Sequence, residues 1–159
     1  SSVWEERDRG LYEEEVYLKQ FQELDPQDAE DIEKVIKGSG QTIRKRPYAD
    51  TWVKYLKSKG YHVYILSNYS SYMLDHTKKE LTFRREMDGE VFSCYANQLK
   101  PDAEIYQTIL NKYQLKPEEC VFIDDRPENC RGAQEQGIHT ICFKDFKQVT
   151  ADLEKLGVK

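Results

Sequence analysis

From Pro47 onward the apolar positions alternate between two textures. "PYADTWVKYLKSKG" sets Trp52, Val53 and Leu56 at helical spacing and closes on Gly60, a residue suited to a helix C-cap. "YHVYIL" follows, rich in β-branched and aromatic residues, and reads as a strand. The same alternation continues with a helix over about Tyr72 to Leu81, a strand in "EVFSCYA" and a helix in "PDAEIYQTILNKYQL". It ends with a strand in "CVFID", a helix in "PENCRGAQEQG", a strand in "IHTICF" and a closing helix in "FKQVTADLEKLG". Strands alternating with helices predict an α/β fold, a parallel sheet covered by helices on both faces.

Residues 1–45 differ. "SSVWEERDRGLYEEEVYLKQFQEL" spreads Val3, Leu11, Val16, Leu18, Phe21 and Leu24 among many acids, and nothing there resembles a strand. Asp25-Pro26 is a helix start signal for Pro26 to Lys37, and Gly38-Ser39-Gly40 is expected to stop that helix. The chain thus divides into a helical part, 1–45, and an α/β part, 46–159.

Composition narrows the functional classes. With 33% charged residues, 38% hydrophobic residues and a mean hydropathy of -0.83, the 159 residues can fill one core with little to spare. A net charge of -5 gives no reason to expect nucleic acid or an anionic membrane as partner. Arg44-Lys45-Arg46, Lys78-Lys79 and Arg84-Arg85 are short basic clusters flanked by acids and read as solvated faces. No apolar run reaches about 18 residues and no signal peptide opens the sequence, so a cytoplasmic protein is expected. Cys94, Cys120, Cys130 and Cys142 form no C-x-x-C pair, which argues against structural zinc; Cys120 and Cys142 are expected to be small buried hydrophobes. No spacing ties His62, His76 or His139 to a thiol.

Ligands of an open parallel sheet bind outside the carboxyl ends of its strands. Three polar features fall at that edge: Ser67-Asn68 after "YIL", Lys100-Pro101 after the second strand, and Asp124-Asp125 closing the third. Two adjacent carboxylates raise each other's pKa unless a cation lies between them. A hydroxyl with neighbouring N–H groups can hold a phosphate oxygen, a lysine can neutralise phosphate and carboxylate, and paired aspartates suit Mg²⁺. Separately, each has a plainer explanation: a turn, a solvated lysine, and a helix N-cap pair ahead of Pro127.

In that order and spacing, "YILSNYS", "QLKPDAEIY" and "VFIDDRPENCRGAQEQG" resemble the second, third and fourth signature motifs of the haloacid dehalogenase-like hydrolase superfamily. K-P-D-x-x-I-Y and D-D-R-x-x-N-x-x-x-A-x-x-x-G are similar to the subfamily with a helical cap, which includes sugar-phosphate phosphatases and the phosphatase domain of soluble epoxide hydrolases. The resemblance spans about Pro47 to Phe143, and more weakly "ERDRGLYEEEV" resembles a segment of the cap. It implies a three-layer, Rossmannoid parallel sheet over 46–159 with a partial helical cap over 1–45. It also implies a Mg²⁺-dependent phosphatase acting on a small phosphorylated metabolite through an aspartyl-phosphate.

Carried over, Ser67 binds a phosphoryl oxygen with the backbone N–H of Asn68, and Lys100 bridges phosphate and the catalytic carboxylate. Asp125 matches the Mg²⁺ ligand. Asp124, where relatives often carry glycine, is a supporting acid beside Lys100 or metal-bound water, and Asn129 steadies the metal loop. The alternative is a non-catalytic relative that binds phosphate, metal or a protein. Dehalogenation is disfavoured, because it gives no reason for the two acids beside Lys100. Trp4, Tyr12 and Tyr17 could line a cap pocket, but packing between helices is the expected role.

One motif is missing. The family's nucleophile lies in D-x-D-x-[TV] after a first, central strand, and no D-x-D occurs in the chain. About 40 residues, a βα unit and the first cap helix, are absent by comparison. The sheet is therefore expected to lack its first strand, leaving two interior edges unpaired. Either a longer parent supplies that strand, the favoured expectation, or the strands regroup by direct pairing or exchange with a second copy.

Overall fold

The computed structural model describes residues 2–158. Three helices come first: α1 (Val3–Arg9), α2 (Glu14–Leu24) and α3 (Ala29–Gly38). Ser2 starts α1 with a capping box, its hydroxyl accepting from the Glu5 N–H while the Glu5 carboxylate accepts from the Ser2 N–H. Gly10 ends α1 at φ +72°. A Cβ there would lie 2.7 Å from the Cys94 Cα, so only glycine lets the end of α1 press so closely on that backbone. Arg7 is buried, paired with Glu14 at 2.6 Å and flanked by the rings of Trp4 and Tyr72. Tyr17 is buried too, and its hydroxyl accepts from the Tyr12 N–H at 2.8 Å.

The helix signals around α3 needed adjustment. Asp25 makes no capping hydrogen bond, and a short 3₁₀ turn, Pro26–Asp28, precedes the α-helix. Gly38 takes a right-handed conformation, and the chain runs on into a second 3₁₀ turn, Ser39–Thr42, rather than stopping at the glycines.

The α/β part follows the predicted alternation: α4 (Ala49–Ser58), β1 (Tyr64–Ser67), α5 (Ser71–His76), β2 (Gly89–Phe92), α6 (Ser93–Ala96), α7 (Ala103–Tyr113), β3 (Val121–Asp124), α8 (Pro127–Glu135), β4 (His139–Cys142) and α9 (Phe146–Lys155). Two expected elements are shorter than their apolar patterns. The helix expected to reach Leu81 ends at His76; Thr77 leaves the helical conformation as its C-cap, its hydroxyl bonding back to the Met73 carbonyl at 2.6 Å. The strand expected across "EVFSCYA" ends at Phe92. There the Ser93 hydroxyl accepts from the Tyr69 N–H at 2.8 Å and donates to the Asp8 carbonyl at 2.5 Å, and the backbone turns into α6.

The four strands do not form one sheet. β1 pairs in parallel with β2, Leu66 opposite Val91, and β3 pairs in parallel with β4, Ile123 opposite Ile141. β1 and β3 are not paired with each other, so the alternative of regrouping by direct pairing is not what the strands adopt.

Side chains join what the backbone leaves apart. On one face, α7 and α8 place Ile105, Tyr106, Ile109 and Ala133 against Tyr64 and Leu66 of β1, Val91 of β2 and Phe122 of β3. On the other face the halves are covered separately. Ile65 and Phe92 meet Leu74 of α5, whereas Val121, Ile123 and Ile141 meet Val149 and Leu153 of α9 and Trp52 of α4. Residues 64, 65 and 66 thus alternate faces, as a strand requires. No helix among the described residues is long and apolar enough to cross a membrane.

Candidate active site

The carboxyl ends of β1 and β3 open on one cleft of about 590 Å³, whose wall includes Ser67, Asn68, Lys100, Asp124, Asp125 and Asn129. All six residues singled out from the sequence are therefore brought together. Lys100 is the centrepiece. Its side chain is 7% exposed, and its ammonium donates to the Leu66 carbonyl at 2.9 Å and to Asp124 Oδ2 at 2.6 Å. One cation thus ties the end of β1 to the end of β3.

The loop carrying Lys100 is held by Asn68. The Lys100 N–H donates to Asn68 Oδ1 at 2.9 Å, and Asn68 Nδ2 donates to the Lys100 carbonyl at 2.9 Å. Asp124 is saturated in a similar way: Oδ1 accepts from Asn129 Nδ2 and from the Arg126 N–H, both at 2.9 Å. Three donors, one of them cationic, satisfy this buried carboxylate without water. Asn129 is fixed in turn, its carbonyl accepting from the buried Tyr106 hydroxyl at 2.7 Å.

Ser67 and Asp125 contrast with that network. No described residue hydrogen-bonds to the Ser67 hydroxyl or to the Asp125 carboxylate, and Asp125 is exposed to the cleft. Asn129 Oδ1, buried in the same wall, also lacks a partner. Oxygen donors without protein partners beside a saturated acid fit a hard cation such as Mg²⁺, which keeps several waters and needs only one or two carboxylates. Among the described residues no cluster of three or more His, Cys, Asp or Glu exists, as a closed zinc site would need.

Sequence reasoning missed Asp8 and the side-chain role of Asn68. Asp8, on α1, also lines the cleft, and burial pushes its carboxyl up to about 6 while Arg7 and Arg126 pull the other way. No local pattern marks it, because α1 reaches the cleft only through tertiary contacts. Trp4, Tyr12 and Tyr17 stay outside the cleft: Trp4 packs on Phe21, and Tyr12 on Tyr17. Cys94 and Cys130 are buried, but Cys120 and Cys142, expected to be buried, are half-exposed beside the short strands β3 and β4. A second hollow, about 440 Å³ between α4 and α9, is lined mainly by aromatic and aliphatic side chains and holds none of the cluster.

A protein-family model described as "Hydrolase: haloacid dehalogenase-like hydrolase" matches residues 3–137. A flavin mononucleotide hydrolase from Arabidopsis thaliana is 27% identical over 159 residues, covering 98% of this chain and 62% of its own. A bifunctional epoxide hydrolase from Rattus norvegicus is 30% identical over 107 residues, 64% of this chain and 19% of its own. The chain thus spans less than two thirds of either relative. Among solved structures, a HAD family enzyme from Bacteroides thetaiotaomicron, in complex with magnesium and inorganic phosphate, superposes with a TM-score of 0.75. It is 21% identical, covering 94% of this chain and 79% of that one, a likeness of fold.

Proposed function

Since the chain belongs to the haloacid dehalogenase-like hydrolase family, we propose that it is the greater part of a Mg²⁺-dependent phosphatase acting on a small phosphorylated metabolite. The observation that carries this reading is the buried Lys100 ammonium, held between the Leu66 carbonyl and Asp124 beside the unpartnered Ser67 hydroxyl. A hydroxyl and a fixed cation at one strand edge form a cradle for a transferring phosphoryl group. The hydrolase named for the Arabidopsis relative, which acts on a phosphate monoester, supports the reaction class.

In this reading the Ser67 hydroxyl and the Asn68 N–H bind phosphoryl oxygens, and Lys100 offsets their charge. Asp124 holds the Lys100 ammonium in place. Asp125 would hold Mg²⁺ directly, Asp124 through water, with Asn129 steadying the loop; the ion supplies charge neutralisation at the phosphoryl oxygens when bound. The nucleophile is an aspartate on a strand seated between β1 and β3, supplied by a further segment of the same protein or by a second copy. Its carboxylate forms a bond to phosphorus as the bond to the leaving-group oxygen breaks, and water then releases phosphate.

Hydrolysis of p-nitrophenyl phosphate and sugar phosphates, with Mg²⁺ and with EDTA, tests the proposal. The 159-residue chain alone is expected to be inactive. A version carrying the strand should turn over with Mg²⁺ and lose activity on Asp125→Ala. Equal activity of both forms refutes the missing-strand reading. No turnover by the extended form refutes the phosphatase and favours a phosphate-, metal- or protein-binding module, a reading consistent with the absence of a D-x-D nucleophile.

A further inference from the structure

Asp8 lines the cleft from α1, held by its backbone alone. Its backbone is tightly held: the Ser93 hydroxyl donates to its carbonyl at 2.5 Å, and Asn97 Nδ2 donates to the next two carbonyls, of Arg9 at 3.0 Å and Gly10 at 3.2 Å. The close approach of Gly10 to Cys94 adds to this anchorage. Its carboxylate is not held at all, since no described residue donates to it.

The charged groups around it are engaged elsewhere. Arg7 is paired with Glu14, Arg126 with Glu128, and the Tyr69 hydroxyl lies against Thr77. The Cys94 thiol, on α6, is a further titratable neighbour and is itself pushed up to about 11 by burial. A partly buried carboxylate without a donor is costly, and a fold retains one where something else supplies the donor. Burial has already raised this one.

We propose that Asp8 determines specificity, accepting hydrogen bonds from hydroxyl or ammonium groups on the organic part of a phosphate monoester held at Ser67 and Lys100. The same carboxylate repels esters whose organic part carries a carboxylate. This rests on reading the Ser67–Lys100 cluster as a phosphate site.

Calorimetric titration in Mg²⁺ at pH 7.5 tests it, with inorganic phosphate, glycerol 3-phosphate, ethanolamine phosphate, phosphoglycolate and 3-phosphoglycerate as probes. The wild-type chain should bind the two esters without a carboxylate, glycerol 3-phosphate and ethanolamine phosphate, about tenfold more tightly than the two carboxylated ones, the scale of a like charge in a partly screened site. Asp8→Asn should reduce that ratio to within about threefold, chiefly by tightening the carboxylated esters. Binding of inorganic phosphate with an unchanged ester ratio in Asp8→Asn overturns the role of Asp8 and leaves the phosphate site standing. Failure of inorganic phosphate itself to bind overturns both.

Discussion

The two strand pairs are alike in backbone and unlike in how their inner strands end. Each is a four-residue parallel pair whose inner strand stops at the cleft. β1 ends at Ser67, whose hydroxyl has no partner among the described residues, whereas β3 ends at Asp124, which accepts from Lys100, Asn129 and Arg126. One end is open for a ligand and the other is saturated by protein. Between them no ladder hydrogen bond exists; the halves cohere through the shared α7–α8 face and through one ammonium. In this molecule the group that organises the site also joins the two halves.

Lys100→Met cuts that join and is expected to have the largest effect. It strips a buried carboxylate of its cation, which typically costs 3–5 kcal/mol, so about that loss is expected in urea unfolding. Adding Asp124→Asn to Lys100→Met should restore part of the stability, because no uncompensated charge then remains. A double mutant no more stable than the single one would mean that Lys100 acts through packing instead.

The two faces differ in the same sense as the two strand ends. Ile105 is fully buried on the shared face, and Leu153 lies on a face that covers only β3 and β4. Either residue changed to alanine should cost about 2–4 kcal/mol, the range for large cavities. Hydrogen exchange separates them. Ile105→Ala should speed exchange in both β2 and β4, while Leu153→Ala should speed it in β4 and leave β2 protected. Equal acceleration of both strands by Leu153→Ala would mean that the halves unfold as one unit despite the open edge.

Much of this was legible beforehand, for a local reason. Each strand is a short apolar run with a polar residue at its end, so the run locates the strand and the break locates the cleft: Leu66 then Ser67, Ile123 then Asp124. The single sheet expected from the alternation takes the form of two separate parallel pairs. What escaped was set by contacts distant in sequence. Ser93 ends β2 early because it bonds to Asp8, 85 residues away, and Asn68 clamps the backbone of Lys100, 32 residues away. Asp8 enters the cleft through the same bond. No periodicity over ten or fifteen residues carries such information.

Asp8→Asn is the next effect in size, and it has a sign. An acid whose folded value lies above its unfolded one contributes stability while protonated. That contribution is complete below the ordinary carboxylate range and is lost as pH rises through about 6. The asparagine stays neutral throughout. At pH 7 the variant should therefore be more stable than the wild type by about 1–2 kcal/mol, allowing for screening by the solvent that still reaches the group. The gain should vanish by about pH 3.5, where both side chains are uncharged. Paired urea titrations across that window check it. A gain independent of pH would place the effect in packing, and a loss at pH 7 would mean that the carboxylate has a protein partner after all.

The smallest expected effect on stability belongs to Asp125→Asn, next door to the acid whose environment is the most demanding. Asp125 is exposed and accepts no hydrogen bond from any described residue, so unfolding free energy should change by less than about 0.5 kcal/mol. Asp124→Asn, in contrast, leaves the Lys100 ammonium buried beside a neutral amide and should cost several-fold more. Metal response should run the other way. A thermal shift on adding Mg²⁺ should persist, though weakened, in Asp124→Asn and disappear in Asp125→Asn, since direct coordination is assigned to Asp125 and contact through water to Asp124. An undiminished shift in Asp125→Asn would move the ion onto Asp124 and away from the open end of the cleft. The two adjacent carboxylates would then share one role, and their unlike surroundings would have no functional meaning.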